Sequence, residues 1–178
     1  MIEVLREINI KEVMWAIPMI FFLHEMEEWN IYDWYYSNYQ TKLPSTKLSI
    51  RLWLWLISIC GFVVTSISFV IPNKLISGII ILILIVSSSF NGLQHIYWTF
   101  IFKKYAPGVL WSSLGIIAGG IITSAIVIQH QVPIVLILIL YLITIPLLIQ
   151  TVRAKKTLNK MFFQLHNLTV KISNIFEN

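Results

Sequence analysis

His24, Glu25, Glu27 and Glu28 fall within one run of five residues, inside an otherwise apolar stretch from about Val13 to Tyr32. A helix advances about 100° per residue, so positions i, i+3 and i+4 share a face. His24, Glu27 and Glu28 are therefore expected on one side, with Glu25 turned away unless the helix is distorted. Asn91 and His95 are spaced i, i+4 in a later apolar stretch, which places a carboxamide and an imidazole one turn apart. Two histidines with one or two carboxylates form a donor set suited to one zinc or other divalent metal ion, and a remaining carboxylate can serve as base toward water. In that arrangement His24, Glu28 and His95 are the metal ligands and Glu27 is the general base. Asn91 is a second catalytic candidate, supporting a ligand or stabilising an oxyanion. Spacing alone does not decide how Glu27 and Glu28 divide these roles.

The same residues admit other chemistry. A metal-free site would let the glutamate pair share a proton and activate water, while the histidines and Asn91 stabilise the developing oxyanion. The zincin pattern H-E-x-x-H is not matched, because position 28 is Glu. Glu28 as ligand and Glu25 as base would imitate it. A di-iron carboxylate site is excluded, since no second Glu-x-x-His set is present. Intramembrane His and Glu also serve proton, ion or small-solute pathways. The plainest alternative puts the glutamates at headgroup level and leaves the histidines as hydrogen-bonded residues of a bundle. Ser87, Ser88 and Ser89 suggest a nucleophile, but hydroxyls bonding back within their own helix explain them better.

These residues are carried by a chain of 178 residues, of which 57% are hydrophobic and 12% charged. The mean hydropathy is +0.79, a composition that marks an integral membrane protein. Five apolar stretches are long enough to span a bilayer: about Val13 to Tyr32, Leu48 to Ile71, Leu75 to Phe102, Gly108 to Ile128, and Val132 to Gln150. Pro44-Ser45, Pro72-Asn73-Lys74, Pro107-Gly108 and Gln129 to Pro133 punctuate them. The expected fold is all-α, a polytopic membrane bundle of about five transmembrane helices over residues 1–150. An ionisable group at mid-membrane costs on the order of 2.5–3.5 kcal/mol on insertion scales, so the cluster is a functional candidate by default. No cleavable leader is evident in the first residues, and Cys60, the only cysteine, permits neither an intrachain disulfide nor a thiolate metal site.

Lys and Arg gather on one side of this topology: Lys42, Lys47, Arg51, Lys103, Lys104, Arg153, Lys155, Lys156, Lys160 and Lys171, against Arg6, Lys11 and Lys74. The positive-inside rule makes that side cytoplasmic, with the C-terminus. The first and third stretches then run parallel. His24 and His95 both lie roughly 10–12 Å from the inner boundary, at about 1.5 Å per residue, so they can share one layer. Most Trp and Tyr residues fall near the same boundary, which suggests an aromatic-lined mouth there. Gly115-x-x-x-Gly119 signals close helix packing.

Residues 151–178 read as a cytoplasmic basic amphipathic helix. Leu158, Met161, Phe162, Leu165, Leu168, Ile172, Ile175 and Phe176 form its apolar stripe. Its expected partners are the lipid bilayer and anionic lipids, a partner helix being the rival, and the net charge of +5 needs no nucleic acid to explain it. His130 and His166 have no acidic neighbours in sequence and no chemical role is expected of them.

Three motifs together, His24-Glu25-Met26-Glu27-Glu28, Asn91-Gly92-Leu93-Gln94-His95 and Pro107-Gly108, resemble in order those of a family of bacterial and archaeal membrane proteins named for its H-x-x-E-E motif. The resemblance covers roughly Trp15 to Ser113. Relatives are similar in having a small hydroxyl residue three positions after Pro-Gly, whereas this chain has Trp111 and then Ser112. The resemblance implies a multi-pass protein of the bacterial plasma membrane with a shared polar site, of a family whose function is unknown. The residues point to an intramembrane hydrolase with a His/Glu/Asn site near the cytoplasmic face, acting on a lipid-like or membrane-delivered substrate. The alternatives are a non-enzymatic proton, ion or solute pathway and a membrane partner-binding protein.

Overall fold

A computed structural model of the chain describes residues 2–41, 43–157 and 160–177. Lys42 and Leu158, and the side chains of Lys160, Met161, Phe162 and Phe176, which enter the charge bias or the apolar stripe, lie outside the described residues. The elements are α1 (Ile2–Glu7), α2 (Ile10–Val13), α3 (Ala16–Glu27), α4 (Ile31–Asn38), α5 (Lys47–Val70), α6 (Lys74–Phe102), α7 (Val109–Ile128), α8 (Ile134–Ala154) and α9 (Lys160–Glu177). All described regular structure is helical, as expected for a membrane bundle.

Four of these, α5 to α8, are long and apolar enough to cross a membrane. They hold 20 to 29 residues, which at about 1.5 Å per residue reaches the roughly 30 Å of a hydrocarbon core. Their ends carry local signals. Thr46 and Ser49 form a capping box at the start of α5, and Asn73 accepts from Ile76 N at 3.1 Å to start α6. Lys103, in the left-handed region at φ 51°, ends α6, and Gly108 at φ 93° starts α7.

The sequence predicts a fifth spanning helix over 13–32, and the structure has no single continuous helix there. That stretch is broken twice. Pro18 has no N–H to offer Met14, whose carbonyl is instead reached by Ile17 N at 3.1 Å, so the helix restarts at Ala16. Met14 and Trp15 stay in right-handed helical geometry, so Ile10 to Glu27 follow one interrupted helical path. At Glu28–Asn30 the backbone leaves the helix altogether before α4 begins.

α6 is the central element, packed on α5, α7 and α8, while α3 lies against α7 and α5 and touches α6. Gly119 lets α7 approach Ile85 so closely that a Cβ there would sit 2.8 Å from its Cγ2. One apolar core joins Met14, Ile17, Ile81, Ile85, Ile122 and Ile126. A second, largely aromatic, joins Ile31, Tyr35, Leu54, Trp98 and Phe102. The His/Glu residues fall between the two along both α3 and α6. The aromatics expected to line a mouth mostly pack against one another, for example Trp34 edge to face with Phe102 and Tyr35 with Trp98, with ring centroids 5.1 and 5.6 Å apart.

α9 packs along α5. Of the described residues of its expected apolar stripe, Leu165 and Ile172 are half-buried and Leu168 and Ile175 exposed, while His166, Thr169 and Ser173 are buried.

Candidate metal centre

Two helices and one loop supply the polar layer. From α3 and its C-terminal residue come His24, Glu25 and Glu28; from α6 come Asn91 and His95; from the loop before α7 comes the Gly108 carbonyl. His24, Glu25, Glu28 and His95 are 1–6% exposed. Glu28 Oε1 lies 2.9 Å from His24 Nε2 and 2.8 Å from His95 Nε2. One donor atom from each of His24, Glu28 and His95 falls within 4.8 Å of the others, a group that could hold a metal ion. The two imidazoles meet edge to face with centroids 4.9 Å apart.

The Gly108 carbonyl fixes the chemistry of His24. It lies 2.8 Å from His24 Nδ1, and a carbonyl only accepts, so Nδ1 carries a proton. In the neutral ring Nε2 is then a lone pair, directed at Glu28 Oε1 and at Asn91 Nδ2, which is 2.8 Å away. A lone pair and a carboxylate oxygen facing each other need a proton or a cation between them. Backbone anchoring of the remote ring nitrogen is also the support that metal-binding histidines have. An ion about 2.0–2.1 Å from each donor in tetrahedral geometry requires donors about 3.3 Å apart, so loading would spread the present contacts by roughly 0.5 Å. His95 Nδ1 is buried and has no hydrogen-bond partner among the described residues.

Gly108 is the lid of this layer. A Cβ on it would stand 2.6 Å from His24 Cε1 and 2.8 Å from Glu28 Oε1. Positive φ and lack of room both call for glycine. The Pro-Gly motif flagged the position; its contact with the histidine came from the tertiary fold.

Glu27 and Glu25 exchange the places expected of them. The Glu27 carboxylate turns to the start of α7, accepting from Leu110 N at 3.3 Å, Trp111 N at 3.1 Å and the Tyr105 hydroxyl. It satisfies free N–H groups of a helix whose N-cap is a glycine without a side chain, and so caps that helix. Burial and the Glu27 carboxylate push the Tyr105 hydroxyl up to about 12. Glu25, by contrast, is buried with its Oε1 3.8 Å from His24 Nε2, and neither oxygen has a hydrogen-bond partner among the described residues. Its i, i+3 spacing from Glu28 was the signal for it. Asn91 reaches the layer as expected. Ser112 bonds back to Val109 O at 3.2 Å.

A cavity of about 280 Å³ opens beside the layer, with Glu25, Glu28, Asn91 and His95 in one wall. His166 of α9 also lines it, 5.8 Å from the Tyr35 ring centroid, and burial holds its imidazole down at about 4.

A family model described as protein of unknown function with HXXEE motif matches residues 15–123. That stretch contains every residue of the polar layer and ends before α8 and α9. Searches for similar curated proteins and for similar solved structures find no match.

Proposed function

The chain belongs to the family of proteins of unknown function with an HXXEE motif, and we propose, from the geometry of its own polar layer, that it is a membrane-embedded hydrolase. In this reading His24, His95 and Glu28 hold one divalent ion, zinc by donor set, and Glu25 is the base. One observation carries it: three donor atoms converge within 4.8 Å beside a buried carboxylate that has no other hydrogen-bond partner among the described residues. A divalent ion held there by His24, Glu28 and His95 would supply Lewis acidity. Gly108 O and Asn91 hold the His24 ring in one orientation. Glu25, adjacent to His24, takes the proton from water at its free oxygen and returns it to the leaving group. Glu27 keeps the loop carrying Gly108 against α7.

The N···O separations of 2.8 and 2.9 Å between Glu28 and the two histidines, those of close ion pairs, favour a second reading. With imidazolium in place of the ion, Glu25 activates water and Asn91 and the histidines steady the oxyanion. The distribution of Lys and Arg favours a cytoplasmic position for this end of the bundle, where exposed Arg153, Lys155 and Lys156 would meet anionic headgroups.

Metal analysis of detergent-purified protein separates the two. The expected result is about one equivalent of a divalent ion in wild type, its loss in His24→Ala and its retention in Glu25→Gln, which no longer hydrolyses p-nitrophenyl decanoate. Metal-free wild type that turns the ester over leaves only the second reading. Wild type without turnover on acyl esters or amides sinks both.

A further inference from the structure

The cavity beside the polar layer is long and unequal at its ends. Its carboxylate, amide and imidazole groups on α3 and α6, Glu25, Glu28, Asn91, Gln94 and His95, gather at one part of the wall; the rest is mostly apolar, with Phe21, Leu54, Ile57, Leu84 and Phe90, and carries the hydroxyls of Ser87 and Ser88. On α6 the lining extends from His95 back to Leu84, about 16 Å at 1.5 Å per residue. That direction leads away from the end with Lys103 and toward the middle of the bundle. A wholly polar ligand would lose its hydration there and find only the hydroxyls of Ser87 and Ser88, the latter donating to Ile85 O, among the Leu, Ile and Phe walls. At about 280 Å³ the space holds roughly nine or ten groups of methylene size, taken as similar to the 30 Å³ of a water molecule. That suits one chain of about this length.

The cavity also has an apolar neighbour. A groove of about 210 Å³ lies between α5 and α9, lined by Leu52, Trp55, Leu56, Ile59 and Ile172. Trp53 and Thr169 border both spaces, so they form the partition between them. Trp55, Leu56 and Ile59 are exposed, on a helix apolar enough to cross a membrane, so the groove faces the bilayer. The two spaces are continuous in lining and decrease in polarity from the His/Glu layer to the lipid.

We propose that the cavity binds one acyl-type chain of a single-chain amphiphile, with its uncharged ester or amide head against Glu25, Glu28 and His95. The ligand enters sideways from the bilayer between α5 and α9, past Trp53 and Thr169. Naming this ligand a substrate rests on the hydrolase reading; binding of the chain does not need turnover. The far wall of the site then belongs to α9, outside the stretch matched by the family model.

The test uses the full chain in nanodiscs with monodecanoylglycerol carrying a diazirine at the chain end, photolysed with and without chelator and mapped by mass spectrometry. Adducts are expected between Leu84 and Phe90 and between Leu54 and Ile57, competed by unlabelled monodecanoylglycerol and reduced at least fivefold in Leu84→Trp. Ile57→Phe fills the same space from the facing helix should Leu84→Trp not fold. Trp53→Ala is expected to speed labelling, and an unchanged rate overturns the route of entry. Adducts confined to outward residues such as Ile83 and Leu93, insensitive to competitor and to both filling variants, overturn the chain site. Internal labelling of a protein with no metal and no turnover removes the hydrolase reading alone, and turnover without internal labelling removes this proposal alone.

Discussion

Replacing Gly108 with alanine tests whether the polar layer is built around the loop that covers it. The methyl group would have to occupy space 2.6 Å from His24 Cε1, 2.8 Å from Glu28 Oε1 and 2.9 Å from His24 Nδ1, all below van der Waals contact. At φ 93° the backbone itself also disfavours a side chain. Strain of this kind costs about 1–3 kcal/mol and an overpacked site about 1–3 more, so Gly108→Ala is expected to lose on the order of 2–6 kcal/mol. The ring and carboxylate must shift by several tenths of an ångström, beyond the roughly 0.2 Å that a metal site tolerates, so ion affinity is expected to fall 10- to 100-fold. Gly120→Ala is the control. It makes the same chemical change on exposed α7 with nothing within 4 Å of the new Cβ, and should be neutral or stabilising by about 0.5–1 kcal/mol. The assay pairs chelator competition with thermal unfolding of each variant. Gly108→Ala with wild-type affinity and unfolding temperature would refute the role of the loop as the ceiling of the site.

Glu27→Gln should keep the bound ion and ester turnover while lowering stability by about 0.5–2 kcal/mol, the range for a lost helix cap; abolished turnover with unchanged stability would restore Glu27 as the base. His166 is held near 4, below its ordinary value, so the unfolded chain binds the extra proton between about pH 6.5 and 4. Stability is therefore complete above that window and declines as pH falls through it, by on the order of 2 kcal/mol between pH 6.5 and 5. Hydrogen exchange of α9 should rise over this range, and His166→Phe should flatten the profile; an equal slope in the variant assigns it elsewhere. Ser68 and Ser77 each donate to the other's carbonyl, at 2.9 and 2.8 Å, locking the α5–α6 turn. Ser68→Ala should cost about 1–3 kcal/mol on unfolding, and a change below 0.5 kcal/mol would show that the pair is dispensable.

The membrane class, the helical architecture, the apolar stretches over α5 to α8 and the meeting of His24, Glu28, Asn91 and His95 were legible from hydropathy, helical spacing and matched depth. These are properties of local sequence and of a bilayer of fixed thickness, and they do not depend on which helices touch. Lone residues broke the pattern where they altered hydrogen bonding. Pro18 interrupts a helix that hydropathy alone extends from Val13 to Tyr32, and the three residues from Glu28 end it.

The roles of the two middle glutamates belong to the tertiary structure. Glu25 and Glu27 both lie within one turn of His24, and helical phase favours Glu27 as its neighbour, turning Glu25 about 100° away. What separates them is what stands opposite. Glu27 faces the N–H groups of α7, while Glu25 faces a cavity. Gly108, likewise, is a turn residue in the sequence and becomes the ceiling of the site only because α7 carries it over His24. Residue types and spacing determine which groups can act, but the partner of a buried carboxylate is supplied by distant chain segments, and those are set by packing.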